Sequence, residues 1–174
     1  GVCAVVCIFV IPERLEKPEY LLVILASVMG ISMAVITPPF QECDAPSHFY
    51  KAMDVSYGNL LGSFSNFSHG DGVINVPENV NDISYRLITP NGSEGREYVD
   101  YLKSQKCSEK KIEMVYYESV TSIVYWPQGL GFFIGRTLHL SMYGGIVLGR
   151  LFNLFTYILL GYLAVRFIPC YKNL

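Results

Sequence analysis

From Tyr20 to Gln41 the chain contains no Asp, Glu, Lys or Arg, and the run YLLVILASVMGISMAVIT is apolar or small throughout. A helix that lacks a polar stripe is buried either in protein or in lipid. About 20 such residues cross a hydrocarbon core of ~30 Å. Residues 20–37 therefore read as a transmembrane helix, stopped by Pro38-Pro39, so that the membrane segment occupies 20–40. A second such segment starts near Tyr143 and runs over 143–168, interrupted by Arg150 and closed by Arg166. The first residues, 1–12, are apolar too, but form only a partial or truncated hydrophobic segment.

The remaining charge is segregated. Residues 41–139 hold twelve acids and eight bases, whereas the short flanks are marked by Arg14 and Lys17 before the first helix and by Arg166 and Lys172 after the second. Positive residues in short loops mark the cytoplasmic side. The expected topology places 13–19 in a cytoplasmic loop, 41–142 in an extracytoplasmic loop region and 169–174 at a cytoplasmic end. The fold class is an α-helical integral membrane protein, with two to three transmembrane helices flanking an extracytoplasmic region that carries amphipathic surface helices. Membrane lipid is its first partner. A net charge of -2, with no Lys/Arg run, excludes a nucleic-acid-binding role.

Within the loop region, Phe49, Met53, Tyr57, Leu60, Leu61 and Phe64 recur at helical spacing over 44–64, with Lys51, Asp54, Asn59 and Ser63 largely opposite. This predicts an amphipathic helix, weakened at Gly58, lying on the membrane surface or packed on its neighbours. Residues 65–96 read as loop with at most short strands, and 97–111 as a short solvated helix. The stretch 112–126 is too rich in β-branched and aromatic residues to assign. Beyond it, PQGLGFFIGRTLHLS, edged by Tyr125 and Trp126, suits a membrane-interface segment. Gly30, Ser32 and Ala34 on the first membrane helix, with Gly144, Gly145, Gly149 and Gly161 on the second, are the positions through which the two would pack. Cys43 and Cys107 form either a disulfide or two unrelated thiols.

One constellation suggests chemistry. Asp44 stands at the start of the loop-region helix, and His48 follows four residues later on the same face. Such a carboxylate serves as a general base, or holds a divalent metal together with the imidazole, or simply caps the helix. Spacing does not choose among these. Arg150 is a cation inside an apolar helix, which is costly and normally partnered; it binds an anion or snorkels to headgroups. Arg136 is a weaker candidate of the same kind.

The run from Arg14 to Tyr57, with Pro38-Pro39-Phe40, Asp44 and His48-Phe49, resembles the amino-terminal part of a bacterial family of polytopic membrane proteins, the domain of unknown function 2142 family. Tyr125-Trp126-Pro127-Gln128-Gly129 and Gly149-Arg150-Leu151-Phe152-Asn153 are similar to two further segments of that family, in the same order. The resemblance implies a GT-C type glycosyltransferase of the bacterial inner membrane, using a polyprenyl-phosphate-linked sugar for envelope polysaccharide assembly. It makes Asp44 the catalytic base or metal ligand, His48 its support, and Arg150 or Arg136 the group that holds the carrier phosphate. The family's Asp-Glu pair is Asp44-Ala45 here, which leaves the second carboxylate without a counterpart. With two complete membrane helices and one partial, these 174 residues alone are expected to be inactive. The alternative is a non-catalytic assembly, sensor or transporter component whose outer region binds a partner.

Overall fold

The computed structural model describes residues 17–40, 45–61, 72–78, 92–107, 110–116 and 122–168. Within them the elements run α1 (Pro18–Ile36), α2 (Ala45–Ser56), β1 (Gly72–Pro77), α3 (Gly92–Ser104), β2 (Lys111–Tyr116), a 3-10 turn (Ser122–Tyr125), α4 (Trp126–Thr137) and α5 (Met142–Phe167). The segment 1–12 and residues Cys43 and Asp44 lie outside the described residues.

Among the described residues, α1 and α5 are the two helices long and apolar enough to cross a membrane. Two such helices are what the sequence predicts; α1 runs over Pro18–Ile36 and α5 over Met142–Phe167. The chain divides into two contact units, 1–33 with 154–174 and 34–153. In the first unit the helices run antiparallel. The rings of Tyr20 and Tyr162 stand 6.2 Å apart, Leu22 packs on Gly161, and Leu154 covers Gly30.

The second unit is built around α2. Phe49, Ala52, Met53 and Val55 pack with Phe132 of α4, Met142 and Ile146 of α5, Ile74 and Val76 of β1, Leu102 of α3 and Cys107. β1 and β2 pair antiparallel, Gly72 opposite Tyr116 and Pro77 opposite Lys111, with α3 inserted between them. Val76 and Ile74 face the core with alternating register. The turn from α4 to α5 is tight. Leu140 N–H donates to Gly135 O at 2.9 Å, and His139 takes a φ of 53°.

Several expectations change. The helix expected over 44–64 is α2, and it stops at Ser56 because Gly58 turns the chain with a φ of 100°. Its polar side is not solvated: Asp54 is 1% and Lys51 7% exposed. Asp54 accepts from Asn75 N–H at 2.7 Å, Asn75 Nδ2 at 3.2 Å and Asn59 Nδ2 at 2.8 Å, so the folded chain supplies the partners water would have given. The helix expected over 97–111 is α3, which begins at Gly92 and buries Leu102 completely. The described residues of the unassigned stretch 112–126 fall in β2, the 3-10 turn and the start of α4.

The small residues are also redistributed. Gly145 and Gly149 do not meet α1; they face α4. A Cβ placed on Gly131 would lie 2.6 Å from the Gly149 backbone, and one on Gly135 would lie 3.0 Å from Gly145 Cα. Two Gly-x-x-x-Gly motifs, 131/135 and 145/149, thus interlock in antiparallel register, backbone against backbone. Cys107 is a free, buried thiol. Burial pushes it up to about 11, against a smaller opposing effect of the Arg136 charge, so it stays protonated at neutral pH.

Candidate functional site

α1 ends where the chain bends through Pro38 and Pro39, and Phe40 takes a left-handed φ of 63°. The last carbonyls of a helix lack intrahelical partners, and the helix dipole puts negative potential there. Arg150, from α5, supplies the donors. Its Nη1 bonds Thr37 O at 2.6 Å and Ala34 O at 3.2 Å, and its Nη2 bonds Pro38 O at 3.3 Å. A cation in an apolar helix is thereby stabilised by the end of another. The bend at Phe40 stacks its ring edge-on against Phe49, 5.1 Å between centroids, which ties the end of α1 to the first turn of α2.

His48 lies in that first turn. Its Nδ1 shares a hydrogen bond of 2.8 Å with the Tyr125 hydroxyl, and the rings are 5.7 Å apart. Tyr125 ends the 3-10 turn and is buried. Three residues later, Gln128 accepts through Oε1 from Asn153 Nδ2 at 3.4 Å.

These groups converge. Arg150, His48, Tyr125, Gln128 and Asn153 line a cleft of 420 Å³ with the Thr37–Phe40 bend, over a floor of Phe49, Phe132 and Ile146. Its lining brings together one guanidinium, an imidazole paired with a phenol, and two carboxamides. Among the described residues no three His, Cys, Asp or Glu side chains come together as a metal site.

Of the residues singled out from the sequence, His48 and Arg150 share this cleft. Asp44 lies outside the described residues, one position before α2. Arg136 stands elsewhere. It is 9% exposed, donates to Ser56 Oγ at 3.0 Å and Ser56 O at 2.5 Å, and lies 4.2 Å over the Tyr57 ring. It closes the carboxyl end of α2, as Arg150 closes that of α1.

Tyr125, Gln128 and Asn153 stand in the two segments that resemble the family, but the sequence reading gives them no site role. A signal existed: Tyr125 and Gln128 are spaced i, i+3, as are Arg150 and Asn153. Residues so spaced in a helical segment share a face. A family model described as a predicted membrane protein (DUF2142) matches residues 27–174. No curated protein and no solved structure matches the chain.

Proposed function

The chain belongs to the DUF2142 family of predicted membrane proteins, and from that premise we propose that the cleft is the amino-terminal share of a lipid-linked sugar transferase's donor site. The observation that supports this reading is convergence. Pro38 to Phe40, His48, Tyr125 with Gln128, and Arg150 with Asn153 come from the separate segments that resemble the family, and all of them line one cleft. The five polar side chains among them come from three segments, α2, the 3-10 turn with α4, and α5.

In this reading α1 and α5 anchor the protein in the bacterial inner membrane, and the cleft opens on the extracytoplasmic side. Arg150 draws in the phosphate of a polyprenyl-phosphate sugar, as guanidinium groups do for phosphates. Gln128 and Asn153 carry donors and acceptors suited to sugar hydroxyls. Asp44, immediately before α2, is the general base that deprotonates the acceptor hydroxyl, with His48 positioned by Tyr125 to support it. A divalent metal at Asp44 is a variant of the same proposal.

A second reading has its own observation. The bonds from Arg150 to three carbonyls already account for a structural role, which suits a non-catalytic assembly, sensor or transporter component. Sugar transfer by membranes containing the complete parent protein, supplied with labelled polyprenyl-phosphate sugars, separates the two. The transferase reading expects Asp44→Asn to lower transfer by about 10² to 10⁴ at equal expression. Equal transfer by wild type and Asp44→Asn would remove Asp44 from the mechanism. Absence of transfer in both would favour the non-catalytic reading.

A further inference from the structure

His48 lines the cleft with one ring nitrogen already committed. Its Nδ1 shares the 2.8 Å hydrogen bond with the Tyr125 hydroxyl, and no other described residue bonds the ring. The partners stand 77 positions apart. Tyr125, at the end of the 3-10 turn, is 7% exposed and so held by packing, whereas His48, in the first turn of α2, is exposed. The buried residue therefore sets the position of the exposed one.

Which nitrogen of a histidine carries the proton follows from the bond that the other nitrogen makes. A phenol O–H is a better donor than an imidazole N–H, and an imidazole nitrogen is a better acceptor than a phenol oxygen. In the neutral pair Tyr125 O–H thus donates to His48 Nδ1, which leaves the proton on Nε2. When the ring is charged, both nitrogens carry protons and Nδ1 donates to Tyr125 instead. In either state Nε2, on the far side of the ring from Tyr125, is a donor. An imidazole held in this way has no lone pair to offer a hydroxyl proton.

The surroundings favour a negatively charged acceptor. Among the described residues that line the cleft, Arg150 carries a positive charge and none is an acid. Ala45, at the amino end of the 12-residue α2, lines it as well, and a helix amino end carries positive potential.

We propose that Tyr125 is a positioning residue that locks His48 as an Nε2 donor to a phosphate oxygen of the molecule held in the cleft, so that His48 is not a base. That the phosphate belongs to a lipid carrier rests on the transferase reading; the tautomer does not. Within that reading His48 supports transfer by holding the carrier phosphate together with Arg150, and removal of the acceptor's proton falls to Asp44 alone.

The tautomer is read by nitrogen-15 NMR of the 174-residue chain in a neutral detergent at about pH 8.5, where an ordinary imidazole is uncharged. A ring nitrogen without a proton resonates far downfield of one that carries it. The chain has three histidines, and the signals lost in His48→Gln are those of His48. In the wild type, Nδ1 is expected downfield and Nε2 upfield. Tyr125→Phe keeps the ring and removes the hydroxyl, so the two signals should move toward each other as both tautomers become populated. The opposite order in the wild type, or an unchanged separation in Tyr125→Phe, would overturn the lock. Decyl phosphate should shift the Nε2 signal at about tenfold lower concentration than inorganic phosphate, its chain mimicking a lipid carrier. Shifts at equal concentrations would keep the donor and assign it to a free phosphate, and no shift with either would overturn phosphate as its acceptor. Absence of sugar transfer by the parent protein counts against the transferase reading and leaves the nitrogen spectrum unaffected.

Discussion

Asp54 carries the clearest electrostatic tension in the described chain. Burial pushes its carboxyl above the ordinary value of 3.8, while the hydrogen bonds from Asn75 and Asn59 and the Lys51 charge pull it back down. A carboxyl whose folded value is raised binds its proton more tightly folded than unfolded. Its contribution to stability therefore increases as pH falls through the window above 3.8 and is lost as pH rises through the folded value. Thermal melts in detergent between about pH 7 and pH 4 should show this increment in wild type and not in Asp54→Asn. Asp54→Leu is a different case, because it leaves the Asn75 N–H without its acceptor. A loss of about 1 to 3 kcal/mol is expected, and a melt unchanged by Asp54→Leu would count against the Asp54–Asn75 link.

At the scale of elements, the sharpest prediction concerns glycine. On Gly131 a methyl group would lie 2.6 Å from the backbone of Gly149, and neither helix can yield without separating from the other. Gly131→Ala should destabilise by about 1 to 3 kcal/mol. Gly161→Ala meets only the end of the Leu22 side chain at 3.3 Å, which can turn aside, so its melt should be unchanged or raised. Equal effects of the two substitutions would argue against backbone contact between α4 and α5.

The same glycines explain what the sequence made legible. α1 is legible because a charge-free run long enough for a membrane has few other uses, and α5 because its apolar run is interrupted only by Arg150 before Arg166 closes it. The destination of Gly145 and Gly149 was not, since a small residue permits close approach without naming the partner; the matching pair at 131 and 135 was the missing half. α2 was readable as a helix from its apolar spacing. The burial of Asp54 was not, because its carboxylate is satisfied by Asn75, a strand residue 21 positions along the chain. In the cleft, the residue types of His48 and Arg150 drew notice, whereas Tyr125, Gln128 and Asn153 are ordinary side chains until the fold brings them together.

At the scale of the whole molecule, orientation is the property most exposed to test. The proposed topology puts Lys103, on α3, outside and residue 172 inside. Single cysteines replacing Lys103 and Lys172 in an otherwise cysteine-free chain should differ accordingly. Lys103→Cys should react with an impermeant maleimide in intact spheroplasts, and Lys172→Cys only after lysis; the reverse order would invert the topology and move the cleft to the cytoplasmic face. The bond from Arg150 to Pro38 O also joins residues 112 positions apart. A ribosome makes α1 long before it makes the group that completes it. Until residue 150 has been synthesised, the final turn of α1 must satisfy its carbonyls with other partners, so of these two helices the one made earlier is the one finished later.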